Sequence, residues 1–144
     1  RRNDLAEQLG ADHTISYKDD DVVEQVLELT DGVGVDVTLE AAGSPTGYKQ
    51  AVEYTRKGGT ISLDGIPNDN DVEIPIADVV TQEIELRGAR AHANLAEASE
   101  KMVRNGQTDV ASLITHEFAF DDFEDAWETA TERLEDAIKV ALKF

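Results

Sequence analysis

The stretch 35–45 (VDVTLEAAGSP) constrains the fold of this chain more than any other, because a run rich in apolar residues ends abruptly in glycine, serine and proline. β-Branched and bulky residues at Val35, Val37 and Leu39 favour a buried strand. Gly43 allows a sharp change of direction, and a serine followed by proline is typical of a helix N-terminus. We therefore predict a strand that runs directly into a helix.

A second apolar strand with a glycine near its end is predicted over residues 60–67, reached through a helical stretch over 48–56 and a break at Gly58 and Gly59. Strand, helix and strand at this spacing predict a parallel βαβ unit. Ligands of such sheets bind outside the carboxyl ends of the strands. The candidate site is formed by the residues that follow these two strands: Ala41, Ala42, Gly43, Asp64, Gly65 and Ile66.

The remaining elements follow from the spacing of apolar residues. Helices are predicted over 4–9, 22–30, 94–105 and 123–133, and strands over 13–17, 84–90, 114–120 and 137–142. Asn94 with Glu97 and Asp121 with Glu124 read as capping boxes, and apolar residues of the 94–105 helix (Leu95, Ala98, Met102 and Val103) as its inner face. The alternation of helices and strands predicts an α/β fold, with a mostly parallel sheet and helices on both faces.

Two glycines, Gly32 and Gly34, form a GxG pair that could be mistaken for a dinucleotide fingerprint. That fingerprint must follow a strand and open a helix, whereas this pair precedes a strand. We therefore interpret both residues as turn glycines.

The charge balance limits the classes of partner. The 144 residues include 31 Asp and Glu against 13 Lys and Arg, a net charge of -18. Such a field repels phosphate, so we expect no nucleic-acid or anionic-membrane partner. The acidic residues are scattered over polar faces, which is consistent either with a surface adapted to high salt, as in halophilic proteins, or with an ordinary acidic protein.

Cysteine is absent, which excludes disulfides, thiol nucleophiles and cysteine-based zinc sites and favours a cytoplasmic location. The three histidines, at positions 13, 92 and 116, are not spaced as metal ligands, so we predict no metal site in this chain. No apolar run approaches the roughly 20 residues that span a bilayer. The sequence opens on Arg1 in what reads as the middle of a helix, and we expect it to be part of a longer chain.

Five stretches match the pattern of one enzyme family in order and spacing: residues 5–12 (LAEQLGAD), 34–43 (GVDVTLEAAG), 56–65 (RKGGTISLDG), 86–88 (LRG), and 114–118 (ITHEF) through 127–128 (WE). The chain thus resembles the carboxyl-terminal part of the medium-chain alcohol dehydrogenase superfamily, most closely its zinc-dependent polyol, threonine and alcohol dehydrogenases. Glu40 before Ala-Ala-Gly is more similar to these enzymes than to the quinone reductases, where Asp is expected.

The resemblance implies the later half of a Rossmann domain over residues 1–110 and, over 111–144, a β-α-β segment of the catalytic domain. It implies an oxidoreductase that transfers hydride between an alcohol, polyol or hydroxy amino acid and NAD or NADP. The glycine-rich phosphate turn and the zinc ligands would precede Arg1, so the 144 residues alone are expected to be inactive. The strand over 84–90 would join subunits in a homo-oligomer.

The resemblance also implies contacts with the cofactor. Arg2 would lie beside the adenosine ribose and Lys139 would reach the pyrophosphate. Residues 41–43 would pass under the cofactor. The nicotinamide ring and its carboxamide would meet Asp64, Gly65 and Ile66, together with Ala89, Arg90 and Ala91.

Other interpretations stay open at this stage. The glycines could be simple turn residues, and Arg2 and Lys139 could be surface charges. The chain could be a stand-alone module that binds a nucleotide or a protein without catalysis, or part of a zinc-free reductase of the quinone-reductase type. The choice between NAD and NADP also stays open.

Overall fold

The computed structural model describes residues 1–90 and 95–144. The chain divides into two compact units, one of Arg1–Thr14 with His92–Phe144 and one of Ile15–Ala91. The helices are α1 (Arg2–Gln8), α2 (Val22–Leu29), α3 (Pro45–Tyr54), α4 (Ile76–Thr81), α5 (Ala96–Arg104) and α6 (Phe123–Glu132). The strands are β1 (Val35–Glu40), β2 (Thr55–Leu63), β3 (Glu85–Gly88), β4 (Ile114–Ala119) and β5 (Lys139–Lys143).

The unit Ile15–Ala91, hereafter the middle unit, contains a three-stranded parallel sheet in the order β1-β2-β3. The predicted βαβ unit is confirmed in its details, since Ser44 Oγ accepts a hydrogen bond from the Gly47 N–H at 3.0 Å and Pro45 is the first residue of α3. Gly32 and Gly34 have φ of +78° and +90° in the turn before β1, as their interpretation as turn glycines requires. The α/β fold class with a parallel sheet is therefore confirmed.

The core of this unit lies on one face of the sheet. It is formed by buried residues of α3, β2 and α4 and by the residue before β3: Ala51, Val52, Ile61, Val79 and Ile84. In the register of the sheet, Thr38 of β1 stands beside Ile61 on this face. On the opposite face Val37 and Leu39 are 60% and 72% exposed. The described residues of this unit therefore leave apolar side chains of β1 uncovered.

Two predictions, one for residues 13–17 and one for Gly58 and Gly59, are wrong in detail. Residues 13–17 alternate but form no strand, because a strand needs a hydrogen-bonded neighbour and none of the five strands in the described ranges pairs with them. Gly58 and Gly59 do not precede β2 but lie inside it, in an irregularity where Val35 pairs with Thr55 and Val37 pairs with Thr60. The Gly58 N–H donates to Gln82 O at 2.8 Å, which fixes this irregularity to the end of α4.

Helix α4 lies between the predicted strands over 60–67 and 84–90, where the apolar spacing predicts no helix. It is short, and its buried Val79 contributes to the core.

The other unit contains the two-stranded parallel sheet β4-β5, with Ala126 and Thr129 of α6 buried. The predicted capping box at Asp121 is wrong, since this residue lies in a single 3-10 turn over Phe120–Asp122 and Asp122 precedes α6 without a side-chain cap. The first predicted box involves Asn94, which lies outside the described residues; α5 begins at Ala96, so Glu97 is its second residue.

The predicted inner face of α5 is also wrong within the described residues. Leu95, Met102 and Val103 are exposed, although their spacing is that of an amphipathic helix. None of the helices in the described ranges has the length and apolar character needed to cross a membrane.

Candidate functional site

The carboxyl ends of β1 and β2 meet in the middle unit. The main-chain oxygen of Glu40 accepts two hydrogen bonds, from the N–H groups of Asp64 and Gly65, both at 2.8 Å. This contact brings the segment 41–43 beside the segment 64–66. The structure thus assembles the six residues that the sequence placed at the two strand ends.

Gly43 and Gly65 touch through their backbones. A Cβ on Gly65 would overlap the Gly43 nitrogen and would stand 2.7 Å from Gly43 Cα. Gly43 has a φ of +66°, and a Cβ there would be 2.6 Å from Ile66 O. Both positions therefore require glycine for this close approach, and neither is an interchangeable turn residue.

Glu40 lies beneath this contact and is 5% exposed. Its Oε1 accepts hydrogen bonds from the N–H groups of Ala42 at 3.1 Å and Gly43 at 3.0 Å, and its Oε2 is 3.1 Å from the Gly43 nitrogen. Sequence reasoning used Glu40 only as a mark of resemblance and missed this role. The available signal was an acidic residue at the end of β1, directly before the Ala-Ala-Gly segment.

Tyr48 of α3 closes the site from the helix side and is 5% exposed. Its hydroxyl donates to Gly65 O at 2.7 Å. Burial raises the pKa of the Tyr48 hydroxyl above its ordinary value, and the nearby Glu40 charge raises it further. This tyrosine is a second residue of the site that the sequence did not single out.

The other predicted residues of this unit occupy the open side of the same edge. Asp64 is exposed and accepts a hydrogen bond from Ser62 Oγ at 2.9 Å. Ile66 is 70% exposed. The Ala89 N–H donates to Leu63 O at 3.0 Å, which attaches the end of β3 to the end of β2.

Arg90 follows Ala89 and is exposed, whereas Ala91 lies outside the described residues. The edge formed by 41–43, 64–66 and 89–90 is hereafter the strand-end site.

Arg2 and Lys139 belong to the other unit. The Arg2 guanidinium donates to Ala137 O at 3.3 Å, two residues before Lys139, and Arg1 donates to Glu135 O at 2.9 Å. Lys139 is exposed at the start of β5. The structure therefore brings these two predicted cations to one segment of their own unit.

The residue types of the strand-end site are compatible with a flat amide-bearing ring. Ala41 and Ala42 are small and exposed. A Cβ added to Gly43 or Gly65 would clash with backbone atoms at this edge. Backbone groups at the strand ends can recognise a carboxamide, as the nicotinamide end of NAD(P) requires. For zinc the fit is absent: in residues 1–90 and 95–144 no three His, Cys, Asp or Glu side chains are grouped to hold a metal ion.

Comparison with known proteins gives a consistent result. Residues 1–107 match the family model described as zinc-binding dehydrogenase. The chain is similar to sorbitol dehydrogenase of Bacillus subtilis, with 28% identity over 96% of this chain and 39% of the relative. It is also similar to L-threonine 3-dehydrogenase of Caldanaerobacter subterraneus, with 34% identity over 88% of this chain and 38% of the relative.

Among solved structures, the chain is similar to a short chain alcohol dehydrogenase of Escherichia coli CFT073 complexed with NADH. The TM-score is 0.88 and the identity 25%, over 99% of this chain and 42% of that one. The chain thus spans about two fifths of the length of the proteins that it matches.

Proposed function

The chain belongs to the zinc-binding dehydrogenase family, and on this premise we propose that it supplies the nicotinamide-binding half of an NAD(P)-dependent alcohol dehydrogenase. The observation that carries the proposal is the backbone contact of Gly43 with Gly65 at the carboxyl ends of two adjacent parallel strands. The relatives span more than twice the length of this chain, so the complete activity would require residues beyond these 144.

In this proposal the chain binds and orients the cofactor. Ala41, Ala42 and Gly43 would form the surface under the ring. Asp64, Gly65 and Ile66 would meet the ring and its carboxamide through backbone groups that Glu40 and Tyr48 do not already engage. Bound NAD(P) supplies a carbon that accepts hydride from the alcohol. The strand-end site holds this carbon in one orientation, and such positioning contributes to the rate by itself.

The remaining cofactor contacts are proposed for four residues. Ala89 and Arg90 follow β3 at the same edge and would hold the carboxamide. In the other unit, Lys139 would reach the pyrophosphate and Arg2 would lie beside the adenosine ribose. This assignment is supported by the exposure of Arg90 and Lys139. It is also supported by the hydrogen bond from Arg2 to Ala137 O, which lies two residues before Lys139.

The substrate class that we propose is an alcohol, a polyol or a hydroxy amino acid, because the relatives include a sorbitol and a threonine dehydrogenase. Any catalytic zinc would be held by residues outside the described ones, since these do not provide a ligand set. A cytoplasmic location and an acidic surface adapted to salt also belong to the proposal, the latter supported by the charge of -18.

We also propose that copies of the protein associate along β3. In the order β1-β2-β3 this strand is at the edge of the sheet, so its outer backbone groups have no partner strand in the described residues. Edge strands offer a template for pairing with another chain. Light scattering would show a dimer or larger assembly; a monomer at micromolar concentration would contradict this assignment.

The experiment that tests the function follows NADH formation by the polypeptide at its natural length. Sorbitol, L-threonine and simple secondary alcohols would be supplied with NAD or NADP, and bound zinc would be measured in the same preparation. Alcohol-dependent reduction with bound zinc supports the proposal, whereas reduction activity on quinones without zinc would favour the zinc-free reductase. Cofactor binding without any turnover of alcohols or quinones would favour a binding module.

A further inference from the structure

We propose that Glu40 is the positioning residue of the nicotinamide end of the strand-end site, and that its buried charge favours the oxidised ring over the reduced one. The inference rests on the proposed function and goes beyond it by assigning a role to a side chain that touches the protein backbone and not the ligand.

The first observation is the burial of a carboxylate without a cation. Glu40 is 5% exposed, and among the described residues none of the ion pairs includes it. A buried carboxylate is costly unless hydrogen bonds satisfy its oxygens. The N–H groups of Ala42 and Gly43 provide these bonds, so the turn and the carboxylate stabilise each other.

The second observation is the space that two glycines leave for the carboxylate. A Cβ on Gly47 of α3 would be 2.6 Å from Glu40 Oε1, and a Cβ on Gly65 would overlap Glu40 Oε2. The carboxylate is therefore enclosed from the helix and from the end of β2 together. Because the main-chain oxygen of Glu40 also binds Asp64 and Gly65, this one residue holds both segments of the site.

The third step concerns the ligand. Since Glu40 occupies the N–H groups of Ala42 and Gly43, this turn cannot offer them to a phosphate, and the buried negative charge repels a phosphate as well. The same charge attracts a ring that carries a positive charge. The nicotinamide of NAD⁺ is positively charged and that of NADH is neutral, so a carboxylate fixed beneath 41–43, the segment proposed to lie under the ring, favours the oxidised form.

The test compares E40Q with E53Q in the polypeptide at its natural length. Gln has the shape of Glu but removes the charge and presents an NH₂ group to the backbone N–H donors. Glu53 is an exposed residue of α3 that is paired with Lys49 at 3.6 Å, so E53Q removes the same charge from the surface. Dissociation constants are measured for NAD⁺, NADH and ADP-ribose, which lacks the nicotinamide ring.

For E40Q we expect NAD⁺ to bind about tenfold more weakly, since hydrogen bonds to charged groups are strong and each tenfold corresponds to about 1.4 kcal/mol. NADH should weaken less than NAD⁺, and ADP-ribose should change by less than about twofold. E53Q should leave all three constants within about twofold of the wild type. Equal weakening of all three ligands by E40Q, or no weakening, would overturn the inference.

Failure of the proposed function can be told apart from failure of this inference alone, because the wild type itself would then bind neither NAD⁺ nor NADH. In that case the inference fails as well. If E40Q does not fold, amide hydrogen exchange in the wild type decides. The Ala42 and Gly43 amides should exchange far more slowly than those of the exposed loop 68–70. Equally fast exchange would show that Glu40 does not hold the turn and would overturn the inference.

Discussion

Replacing Gly65 with alanine tests the geometry of the strand-end site most severely. The added Cβ would overlap the Gly43 nitrogen and Glu40 Oε2 and would stand 2.7 Å from Gly43 Cα. The Gly43 atoms in this clash belong to the backbone and cannot rotate away as a side chain can. The two strand ends must therefore separate. Overpacking of this kind costs about 1–3 kcal/mol. Loss of the hydrogen bond from the Gly43 N–H to Glu40 adds about 1.5–3 kcal/mol.

The free energy of unfolding of G65A should therefore fall by about 2.5–6 kcal/mol. For a chain of this size each kcal/mol shifts the Tm by about 2–4 °C, which gives a decrease of roughly 5–24 °C. Thermal unfolding followed by circular dichroism measures it. The matched control is G88A, because a Cβ on Gly88 has no neighbour within 4 Å. A G65A variant with the Tm of the wild type would refute the close contact of the strand ends.

Three further predictions follow from the same residues and from the charge of the chain. G47A should lower the Tm, because the added Cβ would be 2.6 Å from Glu40 Oε1. This loss should outweigh the helix propensity of alanine, which favours the variant by about 1 kcal/mol. A Tm of G47A above that of G88A would contradict the enclosure of the carboxylate. Burial raises the pKa of the Tyr48 hydroxyl, so the stability that the protonated hydroxyl contributes is complete below the ordinary pKa of 10.0 and is lost as the pH rises beyond it. The Tm of the wild type should therefore fall above pH 10.0, and the Tm of Y48F should fall less. The net charge of -18 should make the Tm rise between 0.1 and 1 M KCl, where the Debye length decreases from about 10 Å to about 3 Å; a constant Tm would argue against self-repulsion.

The βαβ unit could be predicted because its signals are local. Ser44 and Pro45 fix the start of α3 through their own geometry, and the glycine that follows each strand marks its end. The placement of the candidate residues at one edge then follows from the rule that parallel strands end on the same side.

The role of Glu40 could not be predicted, because it depends on residues that are distant in sequence. Its burial requires Gly65, 25 positions later, to lie against its carboxylate, and nothing in the neighbouring residues encodes that contact. Tyr48 was missed for the same reason, since its hydrogen bond reaches Gly65 O from another element.

Periodicity misled where the partner surface is not among the described residues. The segment 13–17 has the alternation of a strand without a strand beside it, and α5 has an apolar stripe that stays exposed. Periodicity reports which side of an element is apolar, whereas burial also needs something to pack against it. The exposed Val37 and Leu39 of β1 illustrate the same limit.

The binding of the nicotinamide ring at the strand-end site is tested most directly by comparing amide resonances of the protein with NAD⁺ and with ADP-ribose. The difference between the two spectra isolates the ring and its carboxamide from the rest of the cofactor. We expect the differences to concentrate at 41–43, 64–66 and 89–90. Differences at other residues only, or identical spectra with the two saturating ligands, would contradict a nicotinamide site at these strand ends.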